Sequence, residues 1–181
     1  LGGISMITSD MIQFIEHDLI VFGTGVIGFL ILALTLFFRR LRWVTLPLSC
    51  CFIAAWTMVG MLGFFNWHVT VISSNFISLL LIITMSISIH LTVRFRIFQT
   101  ENSQHDQRSL VIATMSNMAK PCFYTAITTI VAFGSLMVSG IRPVIDFGWM
   151  MTLGIVVAFI INFIFFPSVL SLLKPETPVH G

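Results

Sequence analysis

Charged residues are scarce in this sequence. Only 9% of its 181 residues are Asp, Glu, Lys or Arg, whereas 57% are hydrophobic. A soluble domain usually carries roughly a quarter charged residues, and surface-to-volume scaling limits how much apolar surface a chain of this length buries in its own core. Lipid must therefore cover much of the apolar surface, which excludes a soluble globular protein.

Cysteine and clustered positive charge are scarce as well. The three cysteines, two of them adjacent at Cys50 and Cys51, give neither a disulfide framework nor a metal-ligand spacing, so we expect small apolar residues within helices. The net charge of +2, without a basic stripe, gives no reason to expect nucleic acid as a partner. No nucleophile–base pair, phosphate loop or zinc spacing stands out. We therefore expect no catalytic residue, no metal, no cofactor and no enzymatic activity.

What the sequence does contain is five long apolar runs. A helix needs about 20 apolar residues to cross roughly 30 Å of hydrocarbon, and each run is long enough. The runs are continuous and do not alternate with period two, so a membrane β-barrel is excluded. The sequence therefore predicts an all-α, polytopic transmembrane helical bundle. The predicted spans are residues 19–38, 43–67, 69–93, 121–141 and 147–173.

Polar residues gather before, between and after these runs. Residues 1–18 mix apolar positions such as Met11 and Phe14 with acidic ones, which predicts an interfacial helix leading into the first span. Residues 94–120 form the longest connection, and a weak apolar face from Arg108 onward predicts a second short interfacial helix there. Residues 174–181 form a polar tail.

The basic residues predict the orientation of the bundle. Eight of the nine fall on one side of the alternating topology, and only Arg142 falls on the other. By the positive-inside rule the eight face the cytoplasm, which makes 94–120 a cytoplasmic linker and places the tail at Gly181 inside. The eight are Arg39, Arg40, Arg42, Arg94, Arg96, Arg108, Lys120 and Lys174.

The third run is the most polar and holds an ionisable group, His90. Ser86 and His90 are spaced by four residues and share a helix face. An ionisable residue within a span is a functional candidate, and histidine titrates near neutrality, so His90 could bind and release a proton. His90 lies about 12 Å from the middle of its run, near the cytoplasmic boundary. The simpler interpretation is a histidine bonded to a neighbouring helix or to lipid headgroups.

Small and polar residues recur at helical spacing in the last two runs. Gly154, Ala158 and Asn162 are spaced by four, and Ala132 shares a face of the fourth run with several hydroxyl residues. Small residues let helices approach each other in lipid, so we predict helix packing at Gly154, Ala158 and Ala132. The alternative is a polar path through the bundle. The candidates for a proton relay or polar lining are Ser86, Ser88, His90, Thr128 and Asn162.

One absence bears on this path: no Asp, Glu, Lys or Arg lies deep in any of the five runs. A proton-driven protein usually needs a buried carboxylate or an equivalent group. Proton coupling would therefore use His90 with hydroxyls and water, or it would lie elsewhere.

Four motifs in order along the chain resemble one known family. They are IHLTVRFR at 89–96, KPCFYTAITTIVAFGSL at 120–136, IRPVIDFG at 141–148 and FPSVLSLL at 166–173. They resemble the fourth span, the fifth span, the turn into the sixth span and its end in resistance-nodulation-division (RND) permeases. The resemblance covers essentially the whole chain, and it is closest to the exporter branch related to mycobacterial large membrane proteins (MMPL) and sterol-sensing domains.

The resemblance implies a fragment, spans two to six of one six-span half. Residues 1–18 would then re-enter the membrane from a large extracytoplasmic domain. It also implies proton-driven export of hydrophobic or amphipathic, lipid-like molecules across the bacterial inner membrane, with a second six-span half or a homo-oligomer as partner. Many members carry an Asp three or four residues before the histidine, where this chain has Ile87 and Ser86. Two alternatives remain open: a sterol-sensing-like module that binds lipid, and a membrane scaffold that transports nothing.

Overall fold

The structure, a computed structural model, describes residues 4–38, 41–65, 75–101 and 107–172. These residues form five long α-helices, and the 3₁₀-helix Ser135–Val138 extends the fourth of them. No strand occurs in these ranges, so the all-α prediction is confirmed. The helices are α1 (Ile4–Phe38), α2 (Leu41–Phe64), α3 (Phe76–Glu101), α4 (Gln107–Gly134) and α5 (Arg142–Leu172).

Most of these helices are long and apolar enough to cross a membrane. Within the described ranges, four segments meet that condition: Trp43–Phe64, Phe76–Glu101, Gln107–Val138 and Arg142–Ser171. A fifth, Ile20–Leu36 within α1, is apolar but shorter. Large apolar side chains cover the outside of the bundle, which only lipid or another apolar partner shields from water. The chain is therefore an integral membrane protein.

The helices continue past the ends of the predicted runs. α1 runs without a break through residue 18, where the sequence favoured a separate interfacial helix, because no proline or glycine lies between Ile4 and Phe22. Most of the predicted linker 94–120 is helical too, since α3 extends to Glu101 and α4 begins at Gln107. Helical hydrogen bonds need no apolar side chains, and this stretch is rich in good helix formers.

Two other boundaries differ from the predicted ones. α3 begins at Phe76, seven residues after the predicted start of the third span, and residues 66–74 lie outside the described ranges, as does the predicted tail 174–181. Pro121 lies inside α4 and does not open it. Its carbonyl accepts a hydrogen bond from Thr125 Oγ1 at 3.0 Å. Gly140, with φ of 75°, allows the tight turn predicted before α5.

α3 is the central helix, because it packs against each of the other four long helices. Of its most apolar stretch, 56% is buried within the chain, against 11% for the corresponding stretch of α4. Leu80, Met85, Leu91 and Phe95 of α3 are almost wholly buried. α4 therefore presents most of its surface to the surroundings of the chain.

The helices alternate in direction, so the end of α3 meets the starts of α2 and α4 and the end of α5. The rings of Trp43 and Phe95 lie 5.9 Å apart, and Gln107 Nε2 donates to the Leu170 carbonyl at 2.6 Å. We call this the basic end. The described basic residues that lie toward it are Arg94, Arg96, Arg108 and Lys120.

Candidate functional site

A polar junction joins α3 to α5 inside the bundle. Ser88 and Asn162 are both completely buried, and Ser88 Oγ donates a hydrogen bond to Asn162 Oδ1. Asn162 Nδ2 in turn donates to the Ala158 carbonyl at 2.9 Å. The amide orientation follows from this second bond, because a carbonyl only accepts. The two predicted residues are thus partners of each other across 74 positions of sequence.

Two further groups complete the junction. Thr92 Oγ1, also buried, donates to the Ser88 carbonyl at 2.8 Å. The Cys50 thiol of α2 lies within hydrogen-bonding reach of the Ser88 side chain. Three helices therefore meet at one buried hydroxyl, and such interhelical hydrogen bonds hold helices in register within a membrane.

We expect the Ser88–Asn162 pair to contribute about 1 kcal/mol to the stability of the full-length protein. Ser88→Ala removes the donor to a buried amide oxygen, and Asn162→Ala removes the acceptor of a buried hydroxyl, so each leaves an unpaired group. The free energy of unfolding in mixed micelles, measured for both single variants and for the double variant, gives the coupling energy.

Ser168→Ala is the matched control for this cycle. Ser168 is exposed on α5 and bonds only its own helix, at the Ile164 carbonyl. Its coupling to Asn162→Ala should be close to zero. Additive effects of Ser88→Ala and Asn162→Ala would show that the hydrogen bond contributes no net stability.

A second polar region lies on another face of α3, in an open groove between α3 and α4. The groove encloses about 370 Å³. His90 and Ser86 line it from α3, and Thr125 and Thr129 line it from α4. The rest of the lining is mainly apolar: Ile83, Ile87, Met118, Pro121, Cys122, Ala126 and Ile155. A protonatable imidazole thus shares an accessible apolar groove with three hydroxyls.

The later start of α3 changes the depth of His90. The apolar part of this helix extends from Phe76 to Val93, so its midpoint lies near Met85. His90 is then about 8 Å from that midpoint, at 1.5 Å per residue, whereas it lies about 12 Å from the middle of the predicted run. His90 is exposed in the chain, so its imidazole is accessible from the groove.

The five predicted lining residues therefore do not form one path. Ser88 and Asn162 belong to the buried junction, and Ser86 and His90 belong to the groove. Thr128 belongs to neither, because it does not line the groove and its hydroxyl bonds the carbonyls of Tyr124 and Thr125 of its own helix, not a group of α3 or α5. A role for Thr128 would need a group from outside this chain.

The three predicted packing residues lie in two different environments. Ala158 is completely buried, and a Cβ placed on Gly154 would lie 3.0 Å from Leu80 Cδ1 and 3.8 Å from Met58 Cε. These two positions thus lie where α5 packs closely against its neighbours. Ala132 is exposed on α4, so its predicted packing role would need a helix from another chain or segment.

Gly148 is the packing position that the sequence did not single out. A Cβ there would lie 2.9 Å from the backbone oxygen of Phe133 and 3.3 Å from Leu136 Cβ, so α4 and α5 approach closely at this point. Gly148 falls outside the four-residue spacing of Gly154 and Ala158, which is why periodicity did not point to it. The feature of the sequence that could have indicated close packing at Gly148 is its position soon after the predicted tight turn.

Metal ligands are not grouped anywhere in the described part of the chain. No three His, Cys, Asp or Glu side chains there lie close enough together to hold an ion. Cys50, Cys51 and Cys122 are free and buried, as expected of small residues within helices.

Residues 1–179 match the family model of the MMPL family. The chain belongs to the MMPL family. This confirms the resemblance found in the four motifs and identifies the chain as part of an RND-type membrane permease. No curated protein and no solved structure matches it. The buried junction and the α3–α4 groove are therefore features of an MMPL-family membrane domain.

Proposed function

We propose that this MMPL-family chain is the membrane part of one half of a proton-driven exporter of hydrophobic or amphipathic, lipid-like molecules. The observation that supports the proposal most directly is the groove in which His90 and Ser86 of α3 face Thr125 and Thr129 of α4. Histidine exchanges a proton near neutral pH, and hydroxyls both donate and accept hydrogen bonds, so together with water they can move a proton.

Protonation of His90 would change the forces between α3 and α4. A positive charge in an apolar groove is costly unless water or hydroxyls surround it, so the protonated state favours a wetter, wider groove. Because α3 packs against every other long helix and is fixed to α5 through Ser88 and Asn162, its displacement is passed to the whole bundle. Proton binding and helix movement would be coupled in this way.

The orientation we propose places the basic end at the cytoplasmic face of the bacterial inner membrane. Arg94, Arg96 and Arg108 lie toward that end, whereas Arg142 begins α5 at the other. The positive-inside rule favours this arrangement. The C-terminus would then be cytoplasmic.

The proposed partner is the second six-span half of the permease or another copy of this chain, seated on α4. α4 is the least buried of the four spanning segments, and small or hydroxyl side chains lie along its exposed surface, among them Thr128, Ala132 and Ser135. Small residues of this kind permit close approach of helices in lipid.

The proposal is tested with the full-length protein in proteoliposomes that contain a fluorescent phospholipid analogue. We expect a pH gradient, acid on the extracytoplasmic side, to move the analogue toward that side, and a protonophore to stop the movement. Protein-free vesicles provide the background. Transport that is unaffected by the protonophore would contradict proton coupling, and absence of transport of lipids and amphipathic dyes alike would contradict export.

A second candidate function, lipid sensing, is favoured by an apolar groove between α1 and α3. It encloses about 420 Å³. The residues that line it are Val21, Phe22, Gly25, Val26, Phe29, Leu30 and Ile82. None of these side chains is polar, which suits a lipid chain or a sterol better than a proton path. Saturable lipid binding at this groove without any transport in the proteoliposome assay would favour sensing over export.

A further inference from the structure

Arg94 has an unusual environment at the basic end of α3. Its side chain is half-buried, and Nε is buried without a hydrogen-bond partner in the described part of the chain. The guanidinium carbon lies 4.5 Å from the centroid of the Phe98 ring, one helical turn further along. The ring stabilises the cation from one side but accepts no conventional hydrogen bond from it. The two Nη atoms of Arg94 are not among the buried atoms, so this side of the guanidinium remains open to an acceptor from outside the described part of the chain.

No described carboxylate serves as that acceptor. The acidic side chains that the structure describes are Glu101 and Asp146. Glu101 lies seven residues beyond Arg94 and is exposed, roughly 10 Å further along the helix axis. Asp146 lies in the first turns of α5, at the opposite end of the bundle. The guanidinium of Arg94 is therefore not neutralised by either of them.

The surroundings of Arg94 suit a phospholipid headgroup. Arg94 directly follows the apolar part of α3, so a spanning α3 would place its side chain at the edge of the hydrocarbon, within reach of lipid phosphates. The Arg96 guanidinium carbon lies 5.9 Å from the Trp43 ring centroid, and tryptophan is typical of the membrane interface. Basic clusters between spanning helices at the inner interface bind anionic headgroups.

We propose that Arg94 binds the phosphate of an anionic phospholipid at the basic end, with Arg96 adding positive charge beside it. The two Nη atoms of Arg94 are not buried, and they can donate in parallel to two oxygens of a phosphate. The lipid chains extend along the exposed apolar surface of the bundle. A lipid fits better than a free phosphate ion, because the aromatic rings of Phe98 and Trp43 flank the two arginines and offer apolar contact beyond the headgroup.

The test measures lipid binding to the full-length protein by native mass spectrometry, with phosphatidylglycerol and phosphatidylcholine as probes. We expect Arg94→Gln to weaken phosphatidylglycerol binding roughly tenfold, the factor for losing about one charge-assisted hydrogen bond. Phosphatidylcholine binding should hardly change. Arg142→Gln is the matched control, since Arg142 is an exposed arginine at the other end of the bundle; its lipid binding should equal that of the unmodified protein.

A second variant and a competition experiment complete the test. Arg94→Lys keeps the charge but loses the planar fork, so we expect a loss of phosphatidylglycerol affinity smaller than that of Arg94→Gln, and this variant is the one to use if Arg94→Gln does not fold. Unchanged phosphatidylglycerol binding in the Arg94 variants that fold would overturn the proposal. Millimolar inorganic phosphate is then added as a competitor. If it displaces phosphatidylglycerol at Arg94, and not at Arg142, the site binds free anions and the assignment to lipid is overturned.

Discussion

Replacing His90 with Gln is expected to lower proton-driven export by the full-length protein roughly a hundredfold, the low end of what a positioned proton-transfer group contributes. Glutamine keeps much of the size of the imidazole and its capacity for hydrogen bonds, but its amide neither takes up nor releases a proton at physiological pH. Ser86, Thr125 and Thr129 would remain in the groove without an imidazole beside them. Initial rates in proteoliposomes, measured across a series of pH gradients, give the effect.

His17→Gln is the matched control, because His17 is an exposed histidine in the first half of α1 and does not line the groove. Its export rate and its dependence on the pH gradient should match those of the unmodified protein. Export by His90→Gln at the unmodified rate and with the unmodified pH dependence would remove His90 from the mechanism. Proton coupling would then lie outside this chain.

Gly148→Ala is expected to destabilise the full-length protein by about 1–3 kcal/mol, the usual cost of inserting a methyl group into a packed interior. The new Cβ would lie 2.9 Å from the Phe133 carbonyl oxygen, which belongs to the backbone of α4 and cannot turn away. Leu136 Cβ and Met137 Cγ, at 3.3 and 3.4 Å, close the space beside it. α4 and α5 would have to separate, and unfolding in mixed micelles measures the loss.

Alanine substitutions at two other glycines are the controls for this prediction. Gly28→Ala in α1 would meet nothing within 4 Å, so the better helix propensity of alanine should leave stability unchanged or slightly raised. Gly154→Ala would meet Leu80 Cδ1 at 3.0 Å, the flexible end of a side chain that can shift, so its cost should be smaller than that of Gly148→Ala. Equal stability of Gly148→Ala and Gly28→Ala would contradict the close approach of α4 and α5.

The helical bundle could be predicted from sequence because hydropathy reports which segments are apolar. It does not report where a helix ends, since backbone hydrogen bonds continue through polar residues such as Arg94 and Gln99. The extension of α3 to Glu101 was missed for this reason, and so was the continuity of the helix predicted from Arg108 onward with the fourth span. Pro121 was misleading as well, because a proline within a membrane helix is tolerated.

The candidate site was predictable by residue type but not by arrangement. The four-residue spacing placed Ser86 and His90 on one face correctly, since this depends only on the local helix. The pairing of Ser88 with Asn162 depends on how α3 and α5 are rotated against each other, and no local pattern contains that information. Thr128 joined the predicted set because it is polar, although it does not line the groove.

α1 is one unbroken helix, and its N-terminal part extends far from the contacts that hold it to the bundle. Among the described side chains, the core contacts of α1 come from Val26, Leu30 and Leu34 near its far end. Ile4 lies 22 residues before Val26, a distance of about 33 Å along the axis. A tilt of about 5° at those contacts would displace Ile4 by about 3 Å, without any break in the helix. Small rearrangements of α2 and α3 are thereby magnified at the other end of α1.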